Sequence, residues 1–271
     1  MMKLKVTING NTYEAEKGEY ILDLCRRNQI FVPSLCHHEG LAGLGACRIC
    51  VVEINEGREN RVVVSCVYPL SRDCKVFTES EKIIGIRKTI LSMLKTRAPA
   101  GEQLDWLYQM YGVKDSPRFT AAAPVKGSTR TFSPAEKRLA SSCILCGLCA
   151  QACANLGTGA ISTVGRGVAK KISTPYGEPS ADCMGCGSCA EVCPTKAIEC
   201  TETKAARSIW DRKFKFLRCA SCGAAFATEE EYKWAQEKAG ALPLGDVLCE
   251  LCRKKKSADV LAGAFGERKG R

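Results

Sequence analysis

The cysteine pattern constrains this chain more than any other feature of its sequence. The run C-x2-C-x2-C-x3-C occurs at residues 143–153 and again at residues 183–193. In such a run three closely spaced thiolates surround one face of an iron–sulfur cube, and the fourth binds the cluster of the other run. The repeat therefore predicts two [4Fe–4S] clusters. Their ligands would be Cys143, Cys146, Cys149 and Cys193 for the first, and Cys183, Cys186, Cys189 and Cys153 for the second.

Three glycines lie inside these runs, at Gly147, Gly185 and Gly187. Glycine leaves space for the backbone to approach the cluster sulfurs, where N–H donors tune the reduction potential. Zinc is the alternative metal, but eight cysteines in this order would make an unusual zinc framework. We therefore expect the two runs to form one duplicated, ferredoxin-like α+β unit.

A second group of cysteines lies near the N-terminus, with ten, two and fifteen residues between its members. The sequence around it predicts a small β-grasp domain, with a hairpin at residues 3–16, a helix at 19–29 and two further β-rich runs. In that context a glycine-rich loop supplies three thiolates and a following strand the fourth, which suits a [2Fe–2S] cluster. The predicted ligands are Cys36, Cys47, Cys50 and Cys66.

Two histidines follow the first of these cysteines. His37 and His38 would suit a Rieske-type site, but four cysteines already satisfy two irons. We therefore expect both histidines to be local hydrogen-bonding or surface residues. The pair Cys47 and Cys50 also lacks the βαβ context of a thioredoxin-like redox site.

The last cysteines form two Cys-x2-Cys pairs separated by 26 residues. Glycine follows the first pair, a pattern typical of a zinc knuckle in which backbone N–H groups turn toward the sulfurs. Two such pairs would close a tetrahedral zinc site that stabilises a segment with little core of its own. A third [4Fe–4S] cluster is the alternative at the same residues. The predicted ligands are Cys219, Cys222, Cys249 and Cys252.

Metal binding changes the charge that the chain carries. The formal net charge is +11 with thiols counted as neutral, and thiolates at four metal sites would lower it to roughly +3. We therefore expect no nucleic-acid partner and interpret lysines 254–256 as a solvated tail. The N-terminus lacks the apolar region of a secretory signal, and no window approaches the roughly 18 apolar residues of a membrane span. A soluble, cytoplasmic chain is expected, with Cys25, Cys74 and Cys200 as structural residues.

Several segments occur in the order found in one protein family. They are SLCHHEGLAGLGACRICVVE, TILSMLKT, YQMYGVKDSPRF, CILCGLCAQAC and the stretch from VGRGVAKKI to EVCPTKAI. This order resembles the N-terminal part of the large iron–sulfur subunit of NADH dehydrogenase (complex I). It also resembles the equivalent part of NAD-linked and electron-bifurcating hydrogenases. The resemblance covers approximately residues 1–203.

The chain departs from that family in two respects. Before YQMYG the family usually carries one histidine and three cysteines that bind another [4Fe–4S] cluster, whereas the interval here, RAPAGEQLDW, contains neither residue type. We therefore expect that cluster to be absent. We also expect no large catalytic or molybdopterin-like domain of the family's kind, because a different segment follows residue 203.

The resemblance implies a subunit that relays electrons within a multi-subunit, flavin-based and NAD(P)-linked oxidoreductase, a class that includes electron-bifurcating enzymes. The implied partners are a flavin-containing NAD(P)H-oxidising subunit and a small thioredoxin-like [2Fe–2S] subunit. On the other side it implies a catalytic redox subunit of transhydrogenase, hydrogenase or formate dehydrogenase type, or soluble ferredoxin. The sequence contains no nucleotide-binding glycine fingerprint and no flavin motif, so we expect no active site of its own. A free-standing polyferredoxin-type carrier is the alternative.

The predicted fold class is α+β, with four parts along the chain. Residues 1–78 form the β-grasp [2Fe–2S] domain, 79–135 a helical and extended linker, 136–203 the two-cluster [4Fe–4S] ferredoxin-like domain, and 204–271 the zinc-ribbon-like segment. Thr78 and Glu81 are expected to form a capping box at the start of the first linker helix.

Overall fold

The computed structural model describes residues 3–98, 101–115, 142–239 and 247–266. The chain divides into two compact units: one of Met1–Gly177 with Ser188–Ile198, the other of Glu178–Gly187 with Glu199–Arg271. The division therefore passes through the second cysteine run, whereas the sequence pattern suggested a domain boundary at residue 203. In the described parts of the chain, no helix has the length and apolar character needed to cross a membrane.

A mixed five-stranded sheet forms the N-terminal part of the first unit. Its strands are β1 (Lys3–Ile8), β2 (Asn11–Glu16), β3 (Val51–Asn55), β4 (Arg61–Val64) and β5 (Cys74–Phe77). They lie in the order β2-β1-β5-β3-β4, with β1 and β5 parallel and the other neighbours antiparallel. Helix α1 (Ile21–Arg27) buries Leu22 and Leu24 in the core of this sheet. A β-grasp unit requires this combination of sheet and helix.

The predicted N-terminal hairpin is present in the structure. Successive side chains of a strand point to opposite faces, and Leu4, Val6 and Ile8 of β1 are accordingly buried while their neighbours face outward. Asn9 and Gly10 form the turn with φ values of 50° and 94°. Positive φ at both central residues is the requirement of a type I′ turn.

Two helices after the sheet build a second apolar core. They are α2 (Glu81–Arg97) and α3 (Glu102–Met110). Leu91 of α2 and Leu104 and Leu107 of α3 pack together with Leu35 and Ile49, which flank the predicted [2Fe–2S] loop. This part of the predicted linker therefore supports the cysteine loop. The rest of the predicted linker, residues 116–135, lies outside the described residues.

The prediction of a capping box at Thr78 and Glu81 is wrong. Ser80 is the N-cap of α2, and its hydroxyl accepts a hydrogen bond from the backbone N–H of Ile83 at 3.4 Å. Thr78 instead lies beside the first hairpin, where its N–H and hydroxyl both bond to the Asn9 side chain. Thr78, which the local sequence pattern assigned to the cap, thus forms a long-range hydrogen-bond pair with Asn9 instead.

Short elements make up the described two-cluster region within the first unit. They are α4 (Leu148–Asn155), β6 (Ser162–Val164), β7 (Lys171–Ser173) and α5 (Ser188–Glu191), with 3-10 turns at Gly167–Ala169 and Pro175–Gly177. Helices α4 and α5 begin directly after Gly147 and Gly187, whose φ values are 83° and 81°. The duplicated sequence therefore adopts the same left-handed turn before the third cysteine of each run.

The second unit contains a four-stranded antiparallel sheet in the order β11-β10-β9-β8. Its elements are β8 (Cys200–Glu202), β9 (Ala206–Ile209), β10 (Arg212–Arg218), β11 (Ala225–Thr228), α6 (Glu229–Ala239) and α7 (Glu250–Gly266). Phe214 of β10 is completely buried. In the final cysteine group, the first pair lies between β10 and β11 and the second pair lies at the start of α7.

One arginine is fully buried in the first unit, and it holds the predicted [2Fe–2S] loop. Arg87 of α2 donates from Nε to the carbonyl of Ile49 at 3.2 Å and from Nη2 to that of Val51 at 2.8 Å. Its Nη1 donates to the hydroxyl of Tyr111 at 3.0 Å. No carboxylate among the described residues forms an ion pair with it, so neutral dipoles satisfy the charge. Because Ile49 and Val51 flank Cys50, the guanidinium fixes the backbone on both sides of a predicted ligand.

We expect Arg87→Met to destabilise the first unit by about 3 kcal/mol, because two carbonyls and a hydroxyl lose their charged donor. The measurement is the urea midpoint of the anaerobically purified protein. Lys88→Met also replaces a cationic side chain by methionine, but at an exposed position of the same helix. It should leave the midpoint nearly unchanged. Equal midpoints for the two variants would contradict this role of Arg87.

Candidate metal centres

The four N-terminal cysteines meet at one end of the five-stranded sheet. Cys50 immediately precedes β3, and Cys66 follows β4 in a turn instead of lying on a strand as predicted. The Ser65 hydroxyl and N–H both donate to the carbonyl of Cys50, at 2.7 and 3.3 Å. These bonds hold the two ligand segments together. The loop from residue 28 to residue 50 brings Cys36 and Cys47 to the same place, where the Cys47 N–H donates to Cys36 Sγ at 3.3 Å.

The thiols of this group act on one another directly. Hydrogen bonds from Cys47 and Cys66 lower the pKa of Cys36 far below that of an ordinary thiol. The same contacts raise the pKa of Cys47 and Cys66. A hydrogen bond from Cys66 lowers the pKa of Cys50. These contacts link Cys47 to Cys36, Cys36 to Cys66 and Cys66 to Cys50, so the four predicted ligands form one series of neighbouring thiols. Four thiolates are what a [2Fe–2S] cluster requires.

Glycine is needed where the loop passes the fourth cysteine. A Cβ at Gly43 would lie 2.7 Å from the carbonyl oxygen of Cys66, closer than real Cβ contacts allow. Gly45 has φ of 59° and contacts Val67. The glycines therefore let the loop fold closely over this group, as the sequence indicated.

The two histidines have the local roles expected of them. Arg26 donates to Nδ1 of His37 at 2.8 Å, while Nε2 of His37 lies 3.6 Å from Asp23. Burial and the Arg26 charge lower the pKa of His37. His38 accepts the N–H of Gly40 at 3.2 Å. The His37 ring is thus engaged by helix α1, and the His38 ring by its own loop.

Cys25 and Cys74, expected to be structural, are buried in the core of the sheet. Burial raises the pKa of Cys25 to about 12 and that of Cys74 to about 11. Both side chains are therefore neutral thiols near pH 7 and behave as small apolar residues.

All four ligands predicted for the first [4Fe–4S] cluster belong to the first unit. Burial raises the pKa of Cys143, and it raises that of Cys146 to about 12; the nearby charge of Cys193 adds to both increases. Burial and the neighbouring thiols also raise the pKa of Cys149. The N–H of Leu145 donates to Cys143 Sγ at 3.4 Å. An N–H donor of this kind is one that a bound cluster would use to tune its potential.

This group adjoins the N-terminal one within the first unit. Cys36, Cys146 and Leu148 form one buried cluster, against which Cys47 also packs. A Cβ at Gly147 would lie 3.0 Å from Cδ1 of Leu44 in the N-terminal loop. The two cysteine loops are therefore in direct contact, and a Cys36 charge contributes to the raised pKa of Cys146.

The ligands predicted for the second [4Fe–4S] cluster are divided between the units. Cys153 and Cys189 belong to the first unit, where the Cys153 Sγ lies 3.1 Å from the hydroxyl of Thr158. Cys183 and Cys186 belong to the second unit, on a loop held by the C-terminal sheet. Cys200 lies in that sheet and is half-buried, and burial raises its pKa.

The last four cysteines come together in the second unit. All four Sγ atoms lie within 4.8 Å of one another, and those of Cys222 and Cys249 are 3.7 Å apart. N–H groups of Cys249, Cys222 and Ser221 lower the pKa of Cys219. Gly223, with φ of 71°, closes the predicted knuckle by donating to the carbonyl of Cys219 at 2.9 Å.

The second pair of this group does not form a matching knuckle between strands. Cys249 immediately precedes α7 and Cys252 lies in its first turn. The N–H of Ala220 donates to the carbonyl of Val247 at 2.8 Å, which ties the knuckle to the segment before the helix. The arrangement therefore differs in detail from a ribbon of two β-knuckles, and the Gly that follows only the first pair was the sequence signal for that difference.

Comparison with known proteins identifies both iron–sulfur regions. A profile described as a 2Fe-2S iron–sulfur cluster binding domain matches residues 2–81, and one described as a 4Fe-4S dicluster domain matches residues 142–197. By these matches the chain carries one iron–sulfur domain of each kind. The first profile includes the N-terminal cysteine group, and the second includes both C-x2-C-x2-C-x3-C runs.

The relatives of this iron–sulfur protein are subunits of NAD(P)-linked enzymes. It is 32% identical over 182 residues to the NADP-reducing hydrogenase subunit HndD of Solidesulfovibrio fructosivorans, covering 62% of this chain and 30% of that protein. It is 31% identical over 182 residues to the NADH-ubiquinone oxidoreductase 75 kDa subunit of Reclinomonas americana, covering 63% of this chain and 26% of that protein. The NADPH-Fe(3+) oxidoreductase subunit alpha of Geobacter sulfurreducens is 32% identical over 184 residues, covering 65% of this chain and 22% of that protein. The iron–sulfur protein thus spans less than a third of the length of these relatives.

A solved structure supports the same relationship. One chain in the crystal structure of an NAD+-reducing [NiFe]-hydrogenase in the H2-reduced state matches with a TM-score of 0.58 and 25% identity. The match covers 71% of this iron–sulfur protein and 85% of that chain. The resemblance seen in the sequence segments is therefore confirmed by both kinds of comparison.

We expect Cys50→Ala to lose about two irons per chain together with the [2Fe–2S] EPR signal, because each iron of such a cluster needs two thiolates. Iron analysis and EPR of the dithionite-reduced protein are the measurements. Cys74→Ala, in the same sheet but outside the group, should retain both. An unchanged [2Fe–2S] signal in Cys50→Ala would show that the ligand set is wrong.

Proposed function

We propose that this chain is an electron-transfer subunit of a multi-subunit, NAD(P)-linked oxidoreductase and has no active site of its own. It would hold one [2Fe–2S] and two [4Fe–4S] clusters with the ligand sets predicted above. Such clusters, when bound, accept and release single electrons. The role of the protein is then to hold the thiolates, exclude water and keep neighbouring centres close together.

The observation that carries this proposal is the contact between the N-terminal loop and the first C-x2-C-x2-C-x3-C loop. Cys36 and Cys146, predicted ligands of different clusters, pack in one buried group with Leu148. Leu44 of one loop fills the space beside Gly147 of the other. Apolar packing between two sets of ligands suits electron passage between centres.

The proposed partners follow from the relatives. Those proteins are named as subunits of hydrogenases and of NADH- or NADPH-oxidising enzymes. We therefore propose a flavin-containing NAD(P)H-oxidising subunit with a small thioredoxin-like [2Fe–2S] subunit on one side, and a catalytic redox subunit or ferredoxin on the other. Thiolate ligands need reduced cysteines, which supports a cytoplasmic location.

We also propose that the C-terminal cysteine group binds one zinc ion. A tetrahedral zinc ion with Zn–S bonds of about 2.3 Å separates its sulfurs by about 3.8 Å. The 3.7 Å between the sulfurs of Cys222 and Cys249 and the 4.8 Å limit for the whole group support such an ion. A [4Fe–4S] cluster would need wider spacing, since each thiolate binds a different iron.

The subunit role predicts that the chain, tagged and purified anaerobically at low salt from its own cell, brings a flavoprotein with it. NADH or NADPH should then reduce its clusters in the purified complex, whereas the isolated chain should respond only to dithionite. EPR spectra before and after each reductant are the measurement. A single species of about 29.4 kDa, with no flavoprotein and no response to either nucleotide, would favour the free-standing polyferredoxin.

The zinc site predicts about ten irons and one zinc per chain. Cys222→Ala should lose the zinc and keep the irons, since Cys222 is exposed and belongs to this group alone. Metal analysis by mass spectrometry decides the matter. About fourteen irons with no zinc would assign the group to a third [4Fe–4S] cluster.

A further inference from the structure

The loop that carries Cys183 and Cys186 is held along its length by the C-terminal sheet of the same unit. Three consecutive carbonyls of this loop each accept a hydrogen bond from that sheet. Arg212 Nη1 donates to Cys183 at 2.8 Å, the Thr228 hydroxyl donates to Met184 at 2.5 Å, and Arg207 Nη1 donates to Gly185 at 2.7 Å. Every carbonyl between the two cysteines therefore has a side-chain donor that lies beyond residue 203.

Arg212 also holds the residues that directly precede this loop. Arg212 Nη1 donates to the carbonyls of Ser180 at 2.5 Å and of Ala181 at 3.2 Å, in addition to that of Cys183. Its guanidinium stacks over the buried ring of Phe214 with 4.6 Å to the ring centroid. A guanidinium held between an aromatic face and three carbonyls has little freedom, so its position is well defined.

Glycines of the cysteine run make room for this sheet. A Cβ at Gly185 would lie 2.4 Å from Cγ of Phe214, and a Cβ at Gly187 would lie 3.3 Å from Cζ of Arg207. Both glycines also have positive φ, 69° and 81°. The sequence pattern suggested that these glycines serve backbone approach to the sulfurs. In this loop they also serve the approach of Phe214 and Arg207.

The carbonyl bonds have a direct consequence for the N–H groups of the loop. A peptide unit whose carbonyl is held on one side must turn its N–H to the other. Holding the carbonyls of residues 183–185 thus fixes the N–H groups of residues 184–186. In iron–sulfur sites N–H donors to the sulfurs and the local net charge set the reduction potential.

The positive charges of Arg207 and Arg212 act on the site in addition to orienting its N–H groups. Arg207 pairs with Glu202 at 2.7 Å, and its own side chain is 17% exposed. Arg212 forms no ion pair with a carboxylate in the part of the chain that the structure describes, so its positive charge is available to a neighbouring anion. Reduction adds negative charge to an already anionic cluster, and a fixed cation favours the reduced state.

We propose that Arg207, Arg212 and Thr228 are positioning residues of the second [4Fe–4S] site, and that the two arginines raise the reduction potential of the cluster it binds. This inference rests on the proposed function, because it assumes that Cys183 and Cys186 ligate iron. It assigns a cluster-tuning role to a segment that lies outside the region matched by the dicluster profile, which ends at residue 197.

The test is an EPR-monitored redox titration of the full-length holoprotein carrying Arg207→Gln, Arg212→Gln or both. Glutamine keeps a donor for the carbonyl and removes the charge. Cys183→Ser identifies the signals of the second cubane. In the double variant we expect the reduction equilibrium of that cubane to fall at least tenfold, a shift of about −59 mV for one electron, while the [2Fe–2S] and first [4Fe–4S] potentials stay unchanged. Arg212→Lys should keep most of the reduction potential that Arg212→Gln loses.

The matched control is Lys213→Gln, which removes the same charge from an exposed position of the same strand. Thr228→Val removes a neutral donor instead and should speed the loss of four irons to a chelator with little change in potential. Shifts in the arginine variants no larger than that of Lys213→Gln would overturn the proposal, as would equal loss of all three clusters. If the wild-type protein itself holds fewer than two cubanes, the proposed function fails first, and iron analysis shows this before any variant is made.

Discussion

Arginine side chains donate to backbone carbonyls beside all four cysteine groups. Arg87 holds the carbonyls on both sides of Cys50, and Arg97 donates to that of Cys143 at 2.6 Å. Arg212 donates to the carbonyl of Cys183, and Arg218 donates to that of Gly223 in the C-terminal knuckle at 3.1 Å. A loop that turns its N–H groups toward sulfur directs its carbonyls outward, where they need donors. A guanidinium meets this need with several N–H groups and also brings a positive charge to a site whose ligands are anionic.

These arginines contribute part of the formal charge of +11 that the chain carries. The cation that satisfies a loop carbonyl also lowers the repulsion among the thiolates of that loop. Arg87, for example, donates to the carbonyls of Ile49 and Val51 and to the hydroxyl of Tyr111, and it forms no ion pair with a carboxylate among the described residues. Metal binding and folding are therefore expected to support each other at these sites.

The two iron–sulfur domains could be predicted from sequence because cysteine spacing is a local feature, and the N-terminal hairpin could be predicted because Asn9–Gly10 selects its own turn. Features that depend on distant contacts could not. Thr78 fits a capping box by spacing, yet its side chain bonds to Asn9 on another strand. The division between the units follows the donors to the Cys183 loop, which lie some 20 to 45 residues further along the chain. No spacing rule connects Thr228 with Met184.

The structure places the two copies of the duplicated cysteine run in different surroundings. Glycine precedes the third cysteine in both copies, but Leu44 packs beside Gly147 and Arg207 beside Gly187. The first loop thus contacts an apolar side chain from a neighbouring cysteine loop, and the second contacts a guanidinium from the C-terminal sheet. Since four cysteines are proposed for each cluster, a difference in potential between them must arise from such neighbours. A segment added after the two runs could therefore change the direction of electron flow without altering any ligand.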